Sequence, residues 1–155
     1  MKRSLMAALA AATLAAALPA TAQPPLFQKP EDAVKYRKAA FTLMGAHMSR
    51  LGAMAQGKAP FDAKVAAENA AVLESLSKLP FVAFLEGTDK GDTKAKAEIW
   101  KNWDKFRTAA LKMQDEVSKL SAAAKAPGLT VDQLKAGVGG AGGSCKGCHD
   151  DFRQQ

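Results

Sequence analysis

Apolar positions recur in alternating steps of four and three along two stretches of the chain. The first runs Ile99, Trp103, Phe106, Ala110, Met113, Val117 and Leu120; the second runs Val131, Leu134, Val138, Ala141, Cys145, Cys148 and Phe152. Such alternation keeps one stripe of a helix turned toward a neighbour packed at a shallow angle. A further stretch carries Val65, Val72, Leu76 and Leu79 with Asn69 interrupting, and the earliest runs Val34, Arg37, Phe41, Met44, Met48 and Leu51. All four are rich in Ala, Leu, Lys and Glu and poor in β-branched residues, which favours helix. Prolines 30, 60, 80 and 127 fall where the periodicity stops or restarts, giving helices over roughly 31–57, 62–79, 94–125 and 130–154. Pro30 followed by Glu31 and Asp32 is a helix start, and Thr130 before Val131 is a candidate cap. The glycine-bearing stretch PFVAFLEGTDKGDT makes the middle loop. The expected fold is all-α, an antiparallel four-helix bundle.

The chain opens MKRSLMAALAAATLAAALPATAQ, with Lys2 and Arg3 before an Ala/Leu run and the small-residue pattern Ala20-Thr21-Ala22. This is the pattern of a secretory signal cleaved after Ala22; a membrane anchor fits less well, because the run is short and stopped by Pro19. The expected division is a signal over residues 1–22 and one exported bundle domain over residues 23–155. Cleavage lowers the formal net charge from +7 to +5. The basic residues are interspersed, without the one-faced stripe of a nucleic-acid binder, so the surplus suits solubility and acidic partners.

Two cysteines are present, in GGSCKGCHDDFRQQ at the C-terminus. Export makes a Cys145–Cys148 disulfide the plainest reading of the pair. A thioredoxin-like pair would need a βαβ setting, and a zinc site would need about four ligands where only His47 remains besides His149. Cys-x-x-Cys-His is the attachment signature of c-type haem: the thiols add to two vinyl groups as thioethers and the following imidazole ligates the iron. On a helix, Cys145, Cys148 and His149 project toward nearly one side, the bundle interior. One haem c per chain, attached near the C-terminal helix, is therefore expected. Gly137, Gly139, Gly140, Gly142 and Gly143 just before Cys145 either admit a flat ring against the backbone or leave this stretch partly unwound.

Arg37 is the misfit in the first apolar stripe. A guanidinium facing a core needs an anion, which haem propionates would supply, or a route for its stem to solvent. What sits on the iron's other face decides function. Met44 and Met48 share the stripe with Phe41, and methionine there would make a six-coordinate electron carrier; Phe41 over the iron would leave it five-coordinate and open to small gases. His47 lies about 120° around the helix from Phe41 at ~100° per residue, on a second apolar face with Tyr36, Leu43 and Met54 suited to a partner subunit.

The C-terminal CKGCHDDFR and the segment PEDAVKYRKAAFTLMGAHMSRLG, together with LPFVAF, EIW and KLSAAA, resemble the cytochrome c′ family, the periplasmic high-spin c-type cytochromes of bacteria. The resemblance implies a homodimer built on the first two helices, thioethers at Cys145 and Cys148, and His149 as the sole axial protein ligand. It implies Arg37 near a propionate, and Lys38 and a lysine at the start of the third helix, Lys96, close to the haem edge. It assigns the distal position to Phe41, where better-known members carry leucine or methionine; the bulkier ring is expected to hinder CO more than NO. Arg153 matches a basic residue beside the proximal histidine. The expected function is binding and sequestering NO without turnover. An electron carrier with Met44 or Met48 as sixth ligand is the alternative. A peroxidase-like enzyme fits least, because Phe41 offers neither acid nor base.

Overall fold

The computed structural model describes residues 25–155, so the signal segment lies outside the described residues. Five helices follow in order: α1 (Pro30–Ala55), α2 (Ala63–Leu76), α3 (Glu98–Lys101), α4 (Trp103–Lys125) and α5 (Val131–Phe152), with a 3-10 turn at Pro80–Ala83. The four long helices close a ring in which α1 packs on α2, α2 on α4, α4 on α5 and α5 on α1. This is the expected four-helix bundle.

Local chemistry sets most of the ends. Pro30 occupies the first turn of α1, with Glu31 and Asp32 beside it. Gly57 follows the same helix at φ 68°, the left-handed position that closes a helix without a Cβ penalty. Asp62 caps α2 by accepting from the amides of Lys64 and Val65. Thr130 and Gln133 form a reciprocal capping box on α5.

The core has two parts. An aliphatic cluster runs through Met44, Leu51, Leu73, Met113, Val117, Leu120 and Leu134. A smaller cluster of Phe84, Ile99, Phe106 and Phe152 lies toward the C-terminal end of α5. Phe41 and Phe81 pack against both.

Two expectations are corrected, and one open alternative is decided. The segment 94–125 is not one helix: the backbone breaks at Asn102 (φ −124°, ψ 50°), and the shift in phase leaves Trp103 exposed. The α2 seam is rotated by one position, so that Ala66, Asn69, Ala70 and Leu73 are buried while Val65, Val72 and Leu79 are exposed. Small alanines carry the inner face, and the larger valines point out. The glycine-rich stretch before Cys145 is continuous helix rather than unwound. At Gly137 an added Cβ would come within 2.8 Å of Leu120 Cδ1, so glycine there permits the close approach of α5 to α4.

Candidate haem site

The Cys-x-x-Cys-His run occupies the last two turns of α5. Cys145 packs against the aliphatic cluster and Cys148 against the aromatic one, so the pair sits where the two meet. The thiols are unlinked. Burial raises both pKa values, and Cys148 is pushed up to about 11 by burial, then by Cys145 and Asp151. A redox-active pair needs the opposite shift, toward thiolate. Burial lowers the pKa of His149, Arg153 lowers it further and Asp150 opposes them. The neutral imidazole is thus favoured, the form that offers a lone pair to a metal.

Across from His149 stands Phe41 of α1, its ring centroid 6.4 Å from the imidazole's at an interplanar angle of 74°. Phe81 and Phe84 flank Phe41 at 6.1 and 6.4 Å. Phe106 links this group to Phe84 at 4.7 Å and to Phe152 at 5.3 Å. Two thiols and an imidazole on one helix, facing a wall of phenyl rings, fit a large flat apolar group carrying a metal. Among the described residues no group of three or more His, Cys, Asp and Glu is placed to hold a bare metal ion. A porphyrin brings its own nitrogen donors, so a haem iron asks the protein for axial ligands alone, which an imidazole such as that of His149 can supply.

Arg37 is 2% exposed, which removes the escape to solvent. Its guanidinium donates from Nη1 to Ala83 O (3.1 Å) and Thr88 Oγ1 (2.7 Å), and from Nη2 to Thr88 O and to Thr93 Oγ1 (2.8 Å). It also lies over the ring of Phe84 at 4.4 Å, a cation–π contact. Neutral loop oxygens and an aromatic face thus satisfy most of a buried cation, a solution the sequence reading did not weigh. Burial still lowers its pKa, with Asp89 opposing.

Lys38, one position on, pairs with Asp92. Lys96 is not at the start of a long helix; it precedes the short α3 by two residues and sends its ammonium to the carbonyls of Asp150 (2.9 Å) and Asp151 (3.2 Å). His47 turns to α2, with Nδ1 2.8 Å from Asn69 Oδ1. Met44 and Met54 are buried in the aliphatic cluster, so Met54 does not share an outer face with the exposed Leu43. Met48 packs beside Gly142. Arg153, with His149 and Asp150, lines a shallow hollow of about 190 Å³. Thr88, Thr93, Phe84 and Trp100 were missed in the sequence. Only the aromatic spacing in LPFVAF hinted at Phe84, and no local signal marks the threonines.

The family model for cytochrome C′ matches residues 32–153. The chain belongs to the cytochrome c′ family. It is 55% identical to cytochrome c′ of Rubrivivax gelatinosus over 130 residues, covering 83% of this chain and 99% of the relative. It is 47% identical to cytochrome c′ of Alcaligenes xylosoxydans xylosoxydans over 129 residues, covering 83% of this chain and 98% of that one. The crystal structure of the Rubrivivax gelatinosus protein superposes with a TM-score of 0.78 at 56% identity, over 83% of this chain and 99% of that one. A nitric oxide complex of a leucine-to-alanine variant of the Alcaligenes xylosoxidans protein superposes with a TM-score of 0.77 at 45% identity, over 83% of this chain and 99% of that one. As a cytochrome c′ the protein carries covalently bound haem c with its iron.

Proposed function

We propose that this protein is a periplasmic high-spin cytochrome that binds and sequesters NO, with haem c held by thioethers at Cys145 and Cys148 and ligated on one side by His149. The iron supplies gas binding and a one-electron change between ferric and ferrous states. The observation that carries the reading is the ring opposite His149: Phe41 faces it at 6.4 Å, and a phenyl group cannot ligate iron. Phe41 also restricts the space for an incoming ligand, which penalises CO more than the strongly binding NO. It neither gives nor takes a proton, so no peroxide-cleaving chemistry is proposed.

Arg37 has no carboxylate among its hydrogen-bond partners, and a haem propionate would balance its charge; Lys38 and Lys96 would extend that positive charge along the haem edge. Arg153 stands ready to influence the proximal face beside His149. A homodimer through α1 and α2 is supported by the exposed Leu43, Val65 and Val72. His47 Nδ1 lies 2.8 Å from Asn69 Oδ1, a polar link between the same two helices. Export rests on the leader pattern, with cleavage after Ala22.

The test is titration of the ferrous holoprotein with NO and with CO. Tight NO binding with weak CO binding is expected. A protein inert to both would instead indicate a methionine on the sixth position and an electron carrier.

A further inference from the structure

We propose that Arg37, Thr93 and Lys96 form a strap that positions His149, by tying the last turn of α5 to α1. The proposal rests on His149 being the iron ligand; the strap itself is drawn from the hydrogen bonds.

A helix ends with four carbonyls that no in-helix amide reaches. At the end of α5 each finds a partner, and Lys96 serves three of them. His149 O accepts from the amide of Arg153 at 3.0 Å. Asp150 O and Asp151 O accept from Lys96 Nζ at 2.9 and 3.2 Å. Phe152 O accepts from the Lys96 amide at 3.0 Å. The pairing continues one residue out, where the Gln154 amide donates to Lys94 O at 2.8 Å and Ala95 bridges Arg153 in antiparallel fashion. A cation at a helix C-terminus is also favoured by the helix dipole.

The other end of the strap is fixed to α1. Thr93 Oγ1 accepts from the Ala95 amide at 3.1 Å and from Arg37 Nη2 at 2.8 Å. Arg37 is one turn before Phe41, and its remaining bonds hold Ala83 and Thr88 of the loop. Hydrogen bonds and the backbone of residues 93–96 therefore join the residue one turn before Phe41 to the turn that carries His149. The strap fixes the separation of the rings on the two faces of the haem. Arg37, Thr93 and Lys96 act through other residues and are positioning residues.

The test uses ferrous holoprotein and reads the iron–histidine stretching band by resonance Raman, with amide exchange at Gln154 as a haem-independent readout. Thr93→Val removes the hydroxyl that links Arg37 to Ala95, and Lys96→Met removes the ammonium from the α5 carbonyls. Each is expected to broaden the band and move it to lower frequency, and to speed exchange at Gln154 by about tenfold, the equivalent of roughly one lost hydrogen bond. Thr93→Ser is expected to restore both. Lys146→Met, which removes only a surface pair with Asp150 on the same helix, is expected to change neither. A band unaltered in both Thr93→Val and Lys96→Met, or Gln154 exchange unaltered in both, overturns the strap. Absence of the band from the parent protein overturns the ligand assignment on which it rests.

Discussion

The two parts of the bundle core are held together by different means. The aliphatic part is a set of periodic side chains, Leu51, Leu73, Val117, Leu120 and Leu134 among them, that meet across four helices. The aromatic part gathers Phe84, Ile99, Phe106 and Phe152 from a loop, a four-residue helix and the ends of two long ones, and its Phe84 lies against a buried arginine bonded to loop oxygens. The first is a scaffold whose burial accounts for its stability. The second is an arrangement tied by polar contacts to α1 and to the last turn of α5. The Cys145–Cys148 pair sits where the two parts meet, and substitutions should show how far stability and site geometry separate.

The largest effect belongs to the aliphatic part. Leu134→Ala, at a fully buried position, should cost about 2–5 kcal/mol. Chemical denaturation should show this while the haem spectrum below the transition stays that of the parent. A changed spectrum would mean the two regions are not separable. The glycines of α5 sharpen the comparison within one helix. Gly137→Ala must push on the buried Leu120 and should destabilise by about 1–3 kcal/mol less the gain in helix propensity. Gly139→Ala meets open space and should stabilise by up to about 1 kcal/mol. Melting curves of the two should move in opposite directions.

In the aromatic part the expected change is in ligand binding. Phe41→Ala should raise CO affinity by about tenfold, equivalent to ~1.4 kcal/mol of relieved crowding, with a smaller change for NO. Unchanged CO binding would remove Phe41 from the distal face. The smallest effect lies at the rim. Lys38 holds the Asp92 carboxyl below its ordinary value of 3.8, first through their hydrogen bond and then through charge. A depressed carboxylate pKa contributes stability that is complete above pH 3.8 and is lost as pH falls through the lower folded value. Lys38→Met should therefore reduce stability slightly at neutral pH and leave it unchanged at strongly acid pH, as urea melts at the two pH values would show.

The sequence was legible where the partner of each residue is another apolar side chain at helical spacing. The α5 stripe from Leu134 to Phe152, the Pro30 start, the Thr130 cap and the Cys145–Cys148–His149 run all follow from local pattern. Asn102 was missed because the four-and-three rhythm continues through it, and periodicity does not register one residue with broken backbone geometry. Hydropathy alone puts Val65 and Val72 inside, whereas the buried positions belong to the smaller Ala66 and Ala70. The strap was invisible for a different reason. Lys96 meets carbonyls of Asp150 and Asp151 more than fifty positions away, and a backbone oxygen carries no sequence signature. The same holds for Arg37, whose acceptors are Ala83, Thr88 and Thr93.

The central claim is an iron bound by His149 on one side and left open beneath Phe41 on the other. The direct test is the optical and EPR spectrum of the holoprotein, ferric and ferrous, before and after exposure to CO. High-spin signals in both oxidation states, with CO binding only weakly, are the expected result. A low-spin spectrum unmoved by CO would contradict the account and place Met44, Met48 or His47 on the sixth position.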